Sequence, residues 1–193
     1  MKTILVSAAA LAAVMVPAAA HAQAVPSAVI AVVDLEKVTS TCNACRTAKA
    51  ALQSQVNALQ AREKTLSGPI ETEGKAIQAA VDALKGKDPD AALQARANAW
   101  QAKRQQAAQE LTRQQTQIQR NQAYISQQIA AKLGPIYQQV MQRRGANIML
   151  EIGSTLASGA SLDVSNDVLA ALNTALPSVA TTAPAQAAQP QSR

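Results

Sequence analysis

The 193-residue sequence has no phenylalanine, one tryptophan (Trp100), two tyrosines (Tyr124 and Tyr137), one histidine and two cysteines. Hydrophobic residues make up 48% of it, but nearly half of these are alanine, and aromatics make up only 2%. Without bulky side chains the chain cannot fill a thick globular interior. Seven glycines are few for a turn-rich sheet protein, and the Ala, Gln, Lys and Leu content points to long helices joined along narrow seams. The one histidine, His21, falls in a segment expected to be removed. The remaining chain then has no imidazole for a triad, an acid-base pair or a histidine metal site. No Gly-rich phosphate loop is present, and no cofactor is expected.

Long hydrophobic runs are also missing except at the start. Lys2 followed by the apolar run Ile4 to Val16, too short to span a bilayer, and then Ala20-His21-Ala22 reads as an export signal over 1–22. The mature chain would begin at Gln23 with 17 basic against 12 acidic residues, net +5. That balance suits anionic partners such as acidic polypeptide or anionic lipid; export argues against nucleic acid, as does the lack of stacking aromatics.

Val29 to Val33 reads as a short strand, with Asp34 placed to cap the next helix. From Leu52 the pattern takes alternating steps of four and three: Leu52, Val56, Leu59, Glu63, Leu66, Ile70, Glu73, Ile77, Ala80 and Leu84. Gly68-Pro69 predicts a kink within this helix. Residues 85–90 are a cluster of turn formers, with Asp88 expected to cap and Pro89 to begin the returning helix. The same alternation then continues through Leu93, Ala97, Trp100, Arg104, Ala107, Leu111, Gln114 and Ile118 to Val140. Two such seams across one turn imply an antiparallel hairpin over 52–144, with Trp100 opposite Gly74. Glu63, Glu73, Arg104 and Gln114 interrupt the seam, so the arm should be loosely held. Asn147 to Ile152 and Ser161 to Val164 read as further short strands. Ser165 is expected to cap a closing helix with Val168, Leu169, Leu172 and Leu176 on one face, and 178–193 reads as disordered. The fold class is thus mainly α, with a base formed by 23–51 and 145–177.

The strand Ile30-Ala31-Val32-Val33-Asp34, the long hairpin, Asn147-Ile148-Met149-Leu150, and Leu162-Asp163-Val164-Ser165 leading into Val168-Leu169-Leu172-Asn173 together resemble the Skp/OmpH family of periplasmic chaperones. The resemblance spans nearly the whole mature chain. It implies a homotrimer whose strands share a base, arms around a cavity, and capture of unfolded outer-membrane proteins in the periplasm without nucleotide. Unpaired strand edges independently make a lone subunit doubtful.

Arg96, Lys103, Arg104, Arg113, Arg120 and Lys132 on the returning limb are the candidate contacts to acidic clients or an anionic lipid surface. The competing interpretation is an ordinary solvated helix face. Cys42 and Cys45 form a CxxC, read as a structural or intersubunit disulfide, with packed free thiols and exchange chemistry as alternatives. Rival functions are a periplasmic adaptor rod, which would call for a more continuous seam, and a thiol-disulfide protein.

Overall fold

The computed structural model describes residues 26–185. The expected export signal, 1–22, lies outside them. Strand β1 (Ile30–Val33) pairs in parallel with β2 (Ile148–Glu151), Ile30 opposite Ile148 and Val33 opposite Glu151. A parallel pair needs a crossover, and here the whole hairpin supplies it. Asn147 fixes the start of this pairing: its side chain accepts the Val29 N–H at 2.7 Å and donates to the Ser27 carbonyl at 2.7 Å.

Asp34 ends β1 and caps α1 (Leu35–Thr41), accepting the Lys37 N–H at 2.7 Å as expected. Helix α2 runs from Asn43 to Ala83 and α3 from Ala91 to Arg144, 41 and 54 residues, or roughly 60 and 80 Å at 1.5 Å per residue. Both are longer than the arm proper because their roots are part of the base, and α2 has no break at 51–52. Helix α2 passes through Pro69, and α3 likewise passes through Pro135.

At the tip, Asp90 and not Asp88 caps α3, accepting the Leu93 N–H at 2.8 Å. Lys85 and Gly86 turn the chain with φ of 51° and 87°, and the stretch through Pro89 spans the gap between the two helix axes before α3 starts. Gly145 ends α3 in the left-handed conformation at φ 65°, and the Ala146 N–H returns to the Met141 carbonyl at 2.9 Å.

The expected third strand at 161–164 is reduced to one bridge, Val32 to Asp163, after a 3-10 turn over Ala160–Leu162. The Asp163 carboxylate takes the Ser165 N–H at 2.8 Å and its hydroxyl at 2.5 Å, bending the chain into α4 (Ser165–Ala175) before a ladder can extend. Ser165 is therefore the first residue of α4 rather than its cap. Its buried hydroxyl also accepts the Asp34 N–H at 2.8 Å, tying α4 to the end of β1.

The core sits in the base. Ala31, Val33, Val38, Cys42, Leu133, Ile136, Val140, Val164, Val168, Leu172 and Leu176 form one cluster where α1, α4 and the roots of α2 and α3 meet. Beyond it, burial along the hairpin is sparse, limited to Ile77, Ala107, Asn121 and Ile125.

Candidate functional site

The hairpin surface is built from the seam outward. Every expected seam position between Leu52 and Val140 is at least half-buried except Glu63 and Arg104, which face solvent. Where those two exposed residues and the small Ala107 fall, the seam is thin. Shallow clefts open on both sides of the shared residues Leu66, Ile70 and Ala107, one bordered by Lys103 and the other by Arg104.

Trp100 closes the seam above this stretch. An added Cβ at Gly74 would lie 2.9 Å from the ring, so only glycine lets the indole come this close. The indole N–H donates to the Ile70 carbonyl at 2.8 Å, and the Arg104 guanidinium lies 4.7 Å from the ring centroid. Two bidentate ion pairs bridge the limbs on either side. Arg96 binds Glu73 at 2.6 and 3.0 Å, and Arg62 binds Glu110 at 2.6 and 3.1 Å. Hydrogen bonding to their arginines holds both glutamates below the usual carboxylate range, with Lys103 adding to the effect at Glu73 and Arg113 at Glu110.

The six basic candidates therefore differ. Arg96 is taken up by Glu73, Arg104 stacks on Trp100, and Arg120 donates to the Pro184 carbonyl at 2.5 Å. Lys103, Arg113 and Lys132 are exposed and form no ion pair among the described residues.

Cys42 and Cys45 are joined within the chain by a disulfide, at a Cα separation of 5.1 Å. Both are buried, at 0% and 6% exposure, and the Cys42 sulfur accepts the Cys45 N–H at the start of α2. A buried disulfide inside the core offers little access to an exchange partner.

Sequence reasoning missed a stripe of side-chain amides at the lower part of the hairpin. Gln117, buried Asn121 and Gln128 follow heptad spacing on α3 and face Gln55 on α2, with Asn121 donating to Gln55 at 2.8 Å. Against them lies the segment after α4, residues 179–184, expected to be disordered. The Gln128 amide both accepts the Ala180 N–H at 3.0 Å and donates to the Ala180 carbonyl at 2.9 Å. The segment's composition lacks apolar periodicity, but side-chain amides of the hairpin hold its backbone instead. Residues 186–193 lie outside the described part.

Among the described residues no helix is long and apolar enough to cross a membrane, and no cluster of three or more His, Cys, Asp or Glu side chains is placed to hold a metal. Geometry thus defines a class: a two-helix arm with a polar, partly open seam, rooted in a small α/β base. The family model for outer membrane protein (OmpH-like) matches residues 29–172, three quarters of the sequence, and the chain belongs to that family. A solved structure from Caulobacter crescentus CB15, described as a candidate OmpH-like outer membrane chaperone, is similar in fold. Its TM-score is 0.70 at 17% identity, covering 86% of this chain and 96% of that one. No curated protein matches.

Proposed function

We propose that this protein is an ATP-independent holdase of the periplasm, which binds unfolded outer-membrane proteins and keeps them from aggregating. Family membership supports the chaperone class. The observation that carries the reading is the division of the molecule: the core is confined to the base, while the arm leaves its seam half-covered, opened by clefts and flanked by free cations. Weak, adaptable apolar and polar contacts suit diverse unfolded chains better than one folded partner.

Lys103, Arg113 and Lys132 supply long-range attraction for acidic clients or an anionic lipid surface, and the Leu66, Ile70 and Ala107 clefts supply short-range apolar contact. The working form is a homotrimer assembled through the base. Val29, Ile30, Ile148, Leu150, Leu156 and Leu162 all stand exposed there, at 37–108%, a patch that assembly would cover.

The test is dilution of a urea-unfolded barrel protein into buffer with the purified protein, without nucleotide, alongside light scattering for mass. Suppression of aggregation by a species of three subunits is expected. An inert protein would end the holdase reading.

A further inference from the structure

The segment Val179–Pro184 lies along the lower hairpin outside any regular element, with a bend at Thr182. Its residues alternate in exposure, with Val179, Thr181 and Ala183 half-buried and Ala180, Thr182 and Pro184 exposed, the period of two of extended backbone. Every hydrogen bond that joins it to the hairpin, among those between described residues, falls on its main chain. Gln128 takes both the N–H and the carbonyl of Ala180, Gln55 donates to the Thr181 carbonyl at 3.2 Å, and Asn121 accepts the Ala183 N–H at 2.8 Å. Gln117 reaches the Ala183 carbonyl at 3.4 Å and Arg120 the Pro184 carbonyl. The segment bears no charge, and its side chains are small.

These contacts read an extended backbone, not a sequence. A side-chain amide that pairs with both groups of one residue does what a neighbouring β-strand would do, and any non-proline residue can satisfy it. Asn121 is buried to 3% exposure with the tail in place; its amide donates to Gln55 and its oxygen accepts from Gln117 at 2.7 Å, which fixes the side chain so that the remaining oxygen lone pair is aimed at a passing main-chain N–H, here that of Ala183. We infer that the stripe of Gln55, Gln117, Asn121 and Gln128 is a sequence-tolerant docking site for extended segments of unfolded polypeptide, occupied in the resting protein by its own tail, which a client displaces. This rests on the holdase reading and adds to it a second contact surface, made mainly of uncharged amides, and a self-occluding strap.

The experiment combines hydrogen exchange with client binding. In the full chain, the amides of Ala180 and Ala183 are expected to be protected and to lose at least about fivefold of that protection when a urea-diluted barrel protein is added. The double variant Ala180→Pro/Ala183→Pro deletes both donated N–H groups without shortening the chain. It should bind the same client about three- to tenfold more tightly, and adding Gln128→Ala should reverse the gain. Protection that persists at saturating client, or proline and Gln128 variants with unchanged affinity while aggregation is still suppressed, overturns the strap and leaves the holdase reading intact. Failure of every form to bind client removes both. If the proline variant proves misfolded by circular dichroism, the exchange measurement on the unaltered chain decides alone.

Discussion

Trp100 and Gly74 show how one missing side chain fixes the pairing of two long helices. On an exposed helix, Gly→Ala stabilises by about 1 kcal/mol, because glycine has more backbone freedom to lose. At position 74 the added methyl would lie 2.9 Å from the indole, and forcing such a contact typically costs about 1–3 kcal/mol. Gly74→Ala is therefore expected to destabilise the arm, by about 1 kcal/mol net, visible as faster hydrogen exchange in residues 70–104. A variant with slower exchange would mean that the ring yields freely. Trp100→Phe keeps most of the apolar contact but removes the N–H given to Ile70, and should cost about 1 kcal/mol. The pairing could be read from the sequence because Trp100, a seam residue, and Gly74, which follows the seam residue Glu73, are equidistant from one tight turn. The Asp88 and Ser165 caps were misread for a related reason. Several residues near each helix start carry suitable oxygens, and which one caps depends on where the preceding chain arrives.

Along the helices, polar ties take over where apolar area runs out. Glu73 and Glu110, each hydrogen-bonded to an arginine of the opposite limb, have carboxyls depressed below the ordinary value of 4.5. A depressed folded-state pKa means that the stabilisation is fully present above about pH 4.5 and is lost as the pH falls through the lower folded value. The arm should accordingly keep its protease resistance from neutral pH to about 5 and lose it on further acidification. Glu73→Gln/Glu110→Gln should be weaker at neutral pH and nearly flat in the acid range. Asp163, also depressed, by its bonds to Ser165, adds an acid-sensitive contribution in the base, so the arm must be followed by local cleavage rather than by global melting. The disulfide belongs to this scale too. It closes a very short loop, so its reduction should cost about 2 kcal/mol of base stability. It should leave client binding unchanged, and loss of aggregation suppression on reduction alone would give the CxxC a larger role.

Seen as a whole, the molecule separates a packed foot from a lightly packed limb. Capture of an acidic unfolded chain should weaken with ionic strength between about 0.05 and 0.5 M, since exposed charges are screened within a few ångströms at the upper end. Replacing Lys103, Arg113 and Lys132 with glutamine should lower affinity about tenfold at low salt and remove most of that salt dependence, given about 0.5 kcal/mol per exposed charge. Indifference of capture to salt would end the electrostatic part of the proposal. For assembly, Leu150→Lys places a charge in the exposed apolar patch of the base, and sedimentation should show a smaller particle with the helical content intact.

The sequence by itself determined the hairpin, its tip, the two strands and the closing helix, because periodicity, turn formers and scarce large side chains are local properties that a linear reading captures. Tertiary structure alone decided that 161–164 makes one bridge instead of a strand, that Arg96 and Arg120 are engaged within the chain, and that the tail lies on a ladder of amides. Those outcomes depend on which distant groups come within about 3 Å of each other, and even the heptad-spaced amides do not say in a single sequence which distant group they bind.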